Sequence, residues 1–149
     1  MNIKPYIRKT HYYETDQMGI IHHANYIHWM EEARVDFMEQ IGFSYARAIS
    51  TGIDFALLSI SCEYKSMTRF GDTVNIQVSI SSLSVTKMTV QYQITDAETG
   101  KLRTIGESTH CYFDANRKRP VSLKKALPEL YDLFTSLCTS EQDLSPDEK

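Results

Sequence analysis

Apolar and polar positions change period several times along this chain, and each change marks an element. Tyr6 to Tyr13 is rich in β-branched and aromatic residues and predicts a first strand. Polar residues then give way to Met18-Gly19, a natural turn, and Ile20-Ile21 bring the chain back inside. From about Asn25 the period is helical. Tyr26, Met30, Ala33 and Phe37 form one row, and Ile27, Trp29, Met38 and Ile41 widen the stripe. Gly42 is a stop signal, so the helix spans about 16 residues, roughly 24 Å. A stripe this wide asks for cover on most sides, as a curved sheet wrapped around the helix would give.

Ser44 to Thr51 predicts a short second helix ending at Gly52, and beyond it the period falls to two. Leu58, Ile60, Cys62 and Tyr64 share one face. After a turn at Gly71-Asp72, Val74, Ile76, Val78 and Ile80 repeat the pattern, as do Met88, Val90, Tyr92 and Ile94. A hairpin turn at 96–101 leads into a last long strand, Leu102 to Phe113. Asp114 to Pro120 is a basic loop. Leu130, Leu133, Phe134 and Leu137 predict a C-terminal helix with Pro128 in its first turn. The order β–α–ββββ–α is one α+β domain over residues 1–139, with a polar, fraying tail at 140–149.

Composition narrows the function classes. A length of 149 residues suits one domain, and 42% apolar with 23% charged residues is the balance of a soluble globular protein. A net charge of −3 gives no reason to expect a nucleic-acid partner. The start, MNIKPYIRK, lacks a signal-peptide core, and no apolar run could span a bilayer. We therefore expect no membrane partner and a cytoplasmic location. Cys62, Cys111 and Cys138 are scattered, without CxxC, which argues against disulfides or a zinc site.

Asp16, on a loop beside a helix N-terminus, is the first candidate for chemistry. Its carboxylate can serve as base or nucleophile while free N–H groups face developing negative charge. His22, His23 and His28 lack the i, i+4 spacing of a helical metal pair, so no metal is expected. Cys111 and His110 point to opposite faces of a strand and cannot act on each other. No G-x-S-x-G motif occurs. Glu31 and Arg34, at i, i+3, read as a surface ion pair.

The run T-D-x-M-G-[IV]-[IV]-H-H-A-N-Y, followed by W-M-E-E-A-R, resembles the hotdog-fold acyl-CoA thioesterases of the 4-hydroxybenzoyl-CoA thioesterase type. Within that superfamily it is most similar to the YbgC-like acyl-CoA thioester hydrolases. The resemblance implies a curved antiparallel five-stranded sheet wrapped around a long central helix, and hydrolysis of acyl-CoA to carboxylate and free CoA. Asp16 matches the family's catalytic carboxylate, and His23 the residue whose main-chain N–H polarises the thioester carbonyl. Gly19 lets the loop fold closely against it. Met18, His22, Asn25, Tyr26 and Tyr64 are the expected substrate contacts, although Tyr64, Met67 and Phe70 serve equally as core or interface. Lys87, Arg117 and Lys118 are the candidates for the CoA phosphates. The chain departs from several relatives in having Val85-Thr86-Lys87 where they carry a basic residue followed by Ser. No cofactor is implied, since coenzyme A is part of the substrate. A homodimer or homotetramer joined through sheet edges is implied. The rival readings are a non-catalytic acyl-CoA or lipid-binding module, and a hotdog dehydratase or hydratase, which carries a histidine–acid pair instead.

Overall fold

A computed structural model of the protein describes residues 1–139. The expected tail at 140–149 lies outside the described residues. Strands β1 (Tyr6–Lys9), β2 (Ile53–Tyr64), β3 (Thr73–Leu83), β4 (Lys87–Asp96) and β5 (Leu102–Asp114) form an antiparallel sheet in the order β1-β3-β4-β5-β2. A two-residue strand, β6 (Arg119–Pro120), pairs with the end of β5. Helix α1 (Ala24–Gln40) lies on the inner face, followed by α2 (Tyr45–Ser50). The short α3 (Leu123–Ala126), which the pattern did not foretell, precedes α4 (Pro128–Leu137). This is the expected α+β hotdog arrangement.

The core forms where the two periods meet. Trp29, Met30, Ala33 and Phe37 of α1 are buried against Val74, Ile76 and Ile80 of β3 and Val90, Tyr92 and Ile94 of β4. Helix and sheet approach closely at Gly106 on β5. A Cβ there would lie 2.1 Å from Met30 Cε. Gly42 closes α1 with φ +82°, a backbone conformation that favours glycine.

Several expectations need correction. The first strand ends at Lys9, because Thr10 turns toward the β2–β3 connection. Its N–H donates to Asp72 O (3.1 Å), and its hydroxyl accepts from Gly71 N (2.9 Å). A single 3₁₀ turn, Tyr12–Glu14, follows. In β2, Leu58 and Tyr64 are about half exposed rather than buried. The strand lies at the sheet edge, and its register slips between Leu57 and Ser59, leaving Leu57 and Leu58 both facing outward. Ile27 is also exposed. Arg34 does not pair with Glu31 but turns inward, where its Nη1 donates to Tyr92 Oη (2.9 Å).

Candidate functional site

Buried Glu14 organises the ground beneath the Asp16 loop. Its carboxylate accepts from Trp29 Nε1 (2.7 Å), from the His11 N–H (2.7 Å), and from Arg8 Nη1 and Nη2 (3.1 and 3.0 Å). Arg8 extends the network to Glu32 Oε1 (2.8 Å), which also accepts from Tyr6 Oη (2.8 Å). The Glu14 main-chain carbonyl accepts from the His22 N–H and from Asn25 Nδ2, both at 2.8 Å. Strand β1, the loop and the start of α1 are thus tied to one residue. Sequence reading passed over Glu14 and Arg8. The available signal was an acid and a base placed to flank the turn, and surface pairs look the same on paper.

Above this base the loop closes into a small hairpin. Thr15 bridges to Ile21, the Asp16 N–H donates to Ile20 O (2.8 Å), and the Gly19 N–H donates to Asp16 O (3.0 Å). Gly19 has φ +76°, the left-handed position that such a tight turn requires. Asp16 Oδ1 accepts from the Met18 N–H (2.8 Å), which fixes the half-buried carboxylate. Asp16 Oδ2 takes no hydrogen bond from the described residues.

The start of α1 offers a donor beside this loop. The Ala24 N–H donates to the His22 ring at Nδ1 (3.1 Å) and the Asn25 N–H to His22 O (3.0 Å), so His22 supplies the capping groups. The His23 N–H has no acceptor among the described residues. Tyr64 Oη donates to His23 O (3.1 Å), which brings the end of β2 to the helix N-terminus. Burial first, and then neighbouring Cys62, pushes the Tyr64 pKa up to about 12, so its hydroxyl remains a donor at neutral pH.

The expected contacts fall into two groups. Asp16, Met18, Gly19, His22, His23, Asn25 and Tyr64 come together at one end of the sheet. Met18, His22 and His23 are exposed there, with the two imidazoles stacked 4.1 Å apart. Asn25 spends its amide on Glu14. Tyr26 is buried and packs on Trp29 and Tyr64, with centroids at 5.0 and 5.3 Å, so it supports the site from below. Lys87, Arg117 and Lys118 are exposed at the opposite end of the sheet, and one chain does not bring them to Asp16. Lys87 pairs with Cys111 near the end of β5, and Arg117 and Lys118 occupy the turn that follows it. That turn is shaped by Asp114 Oδ1, which accepts from Asn116 N (2.9 Å) and Arg117 N (3.0 Å). The Arg117 and Asn116 main-chain donors hold the Asp114 pKa below its ordinary value. Among the described residues no cluster of His, Cys, Asp and Glu could hold a metal ion. No described helix is long and apolar enough to cross a membrane.

Residues 10–130 match the family described as the thioesterase-like superfamily. The chain belongs to that superfamily. This thioesterase-superfamily protein is 31% identical over 123 residues to YneP of Bacillus subtilis, a protein named as a candidate acyl-CoA thioesterase. The match covers 83% of this chain and 88% of that one. It is 26% identical over 119 residues to the acyl-CoA thioester hydrolase YbgC of Escherichia coli O157:H7, covering 80% and 88%. Its fold superimposes on the DHNA-CoA thioesterase of Staphylococcus aureus with a TM-score of 0.85 at 27% identity, covering 89% of each chain.

Proposed function

We propose that this enzyme hydrolyses an acyl-CoA thioester to a carboxylate and free CoA, with Asp16 and the His23 N–H as its catalytic pair. One observation carries the reading. A fixed carboxylate whose Oδ2 takes no hydrogen bond from the described residues sits on the loop that leads directly into a helix start, and that start carries an N–H with no acceptor among them. As general base, Asp16 takes a proton from water, whose oxygen bonds to the thioester carbon. The carbonyl oxygen gains negative charge and accepts from the His23 N–H. Collapse breaks the C–S bond and expels CoA as thiolate. As nucleophile, Asp16 instead attacks the thioester carbon, the C–S bond breaks with CoA leaving as thiolate, and water opens the resulting acyl anhydride. An oxyanion donor of this kind is typically worth about 3 kcal/mol, and the positive end of α1 adds to it.

The separation of Asp16 from the basic turn favours a site shared by two chains. Edge strand β2 carries exposed Leu57 and Leu58, and no described strand pairs with its outer side. If two copies pair antiparallel through β2, the Ile53 end of one meets the Tyr64 end of the other. The Ala115 N–H donates to Gly52 O (2.9 Å), so the basic turn travels with the Ile53 end. Arg117 and Lys118 of one copy would then flank Asp16 of its neighbour, where a CoA phosphate needs them. A cytoplasmic location fits such a substrate.

The test is thiol release from acetyl-, butyryl-, hexanoyl-, palmitoyl- and benzoyl-CoA. We expect hydrolysis of at least one, reduced about 10²–10⁴-fold in Asp16→Asn. Tight binding without cleavage would make the protein a carrier module, and an unimpaired Asp16→Asn would remove Asp16 from the mechanism. Label in Asp16 after turnover in ¹⁸O-water would establish the nucleophilic route with water opening the anhydride at the Asp16 carbonyl, because general-base catalysis leaves none there.

A further inference from the structure

Away from the Asp16 loop, the second half of α1 and the sheet line a partly open cavity of about 90 Å³. Most of its wall is apolar, with Phe37, Met38, Val78, Val90 and Phe134 among the lining residues, but Arg34 and His110 line it too. Arg34 Nη1 donates to Tyr92 Oη (2.9 Å), Tyr92 Oη lies 2.7 Å from Ser108 Oγ, and Ser108 Oγ lies 2.8 Å from His110 Nε2. A guanidinium can only donate. One orientation of this chain leaves no hydroxyl hydrogen without an acceptor: Tyr92 donates to Ser108, and Ser108 donates to Nε2. The proton of the neutral His110 ring then sits on Nδ1. His110 is only 3% exposed, and its Nδ1 has no hydrogen-bond partner among the described residues, although the Phe55 backbone lies near enough to favour the charged ring slightly.

Arg34 forms no ion pair among the described residues. The nearby acids are otherwise placed: Glu31 is exposed where it lines the cavity, and Asp54 accepts from Tyr45 Oη and from the Phe55 N–H (2.7 Å). Arg34 is only half-buried, and an anion beside its guanidinium against this mainly apolar wall would gain a charge-assisted hydrogen bond. The field of the guanidinium is felt across the cavity. After burial, Arg34 is the next cause that lowers the His110 pKa, to about 4.

We propose that this cavity binds a small monocarboxylic acid, short aliphatic or single-ring, with its carboxylate on Arg34 and its apolar body against Val78, Val90 and Phe134. Within one chain the site is separate from the Asp16 loop. Arg34 lies ten residues beyond Ala24, roughly 15 Å along α1 at 1.5 Å per residue. It does not depend on the proposed hydrolysis. If both hold, it senses the class of product that the reaction releases.

Calorimetric titration of the full-length protein with hexanoate and benzoate, beside hexanamide and benzamide, tests the proposal. At least one carboxylate should bind one per chain, at least about tenfold tighter than its amide. Arg34→Gln should weaken that carboxylate about 10–100-fold, the range for one charge-assisted hydrogen bond, and leave the amide unchanged. Val78→Phe, which fills the space and keeps Arg34, should abolish binding, and Asp16→Asn should leave it intact. In the unaltered protein, NOEs from the ligand to the Val78 and Val90 methyls should be seen whether or not the variants fold. Equal affinity for acid and amide, no carboxylate binding at 10-millimolar levels (about −3 kcal/mol or weaker), loss of binding in Asp16→Asn, or NOEs elsewhere would each overturn it.

Discussion

Replacing Glu14 by Gln keeps the volume of the side chain and removes its charge, so the cost can be worked from the hydrogen bonds. One carboxylate oxygen accepts from His11 N and Arg8 Nη1, and the other from Trp29 Nε1 and Arg8 Nη2. An amide has one acceptor oxygen, so whichever way the new side chain turns, two donors face its NH₂ group. Breaking a buried ion pair by removing one partner typically costs about 3–5 kcal/mol. Here Arg8 keeps Glu32 at 2.8 Å, so the charge is not orphaned. We expect the lower end, about 3 kcal/mol, made up mainly of two lost hydrogen bonds in a site 2% exposed. For a domain of this size that is roughly a 10 °C fall in Tm. Urea unfolding should show the loss as a lower midpoint at unchanged slope, and a cycle with Trp29→Phe should show coupling between the two residues. A loss below about 1 kcal/mol would refute the view that Glu14 anchors the loop and the helix start.

Three further outcomes are expected. Gly106→Ala puts a Cβ 2.1 Å from Met30 Cε and 2.8 Å from Sδ; Met30 can move, so urea unfolding should show a loss of about 1–3 kcal/mol. His110 is neutral in the fold because burial, then Arg34, lowers its pKa from 6.5 to about 4. The unfolded chain therefore binds the extra proton between those values, so stability should fall as pH drops from about 6.5 to 4. The loss should be roughly 2 kcal/mol once screening at the partly open cavity is allowed for, and it should be absent in His110→Gln melts. Arg117→Glu with Lys118→Glu should raise KM for acyl-CoA at least about tenfold in steady-state assays. The KM for the same acyl group on N-acetylcysteamine should stay unchanged, because that thioester carries no phosphates.

The sequence alone determined the elements whose periodicity is strong. Helix α1, the buried faces of β3 and β4, and the caps at Gly42 and Gly52 all follow from local pattern, because those residues are covered whatever their neighbours' order. The Asp16–Gly19 turn and the helix start, read at about Asn25 and found at Ala24, were legible for the same reason. Tertiary structure decided the rest. Which strand lies at the edge depends on pairing between residues far apart in the chain, so exposed Leu58 and Tyr64 looked like core. Whether a polar side chain turns inward depends on what it meets there. Arg34 reads as a surface partner of Glu31 until Tyr92 lies across the sheet to receive it. Glu14 reads as one acid among several until Arg8, Trp29 and His11 converge on it. Long-range pairing carries no period, and only the folded chain brings those groups within hydrogen-bonding distance.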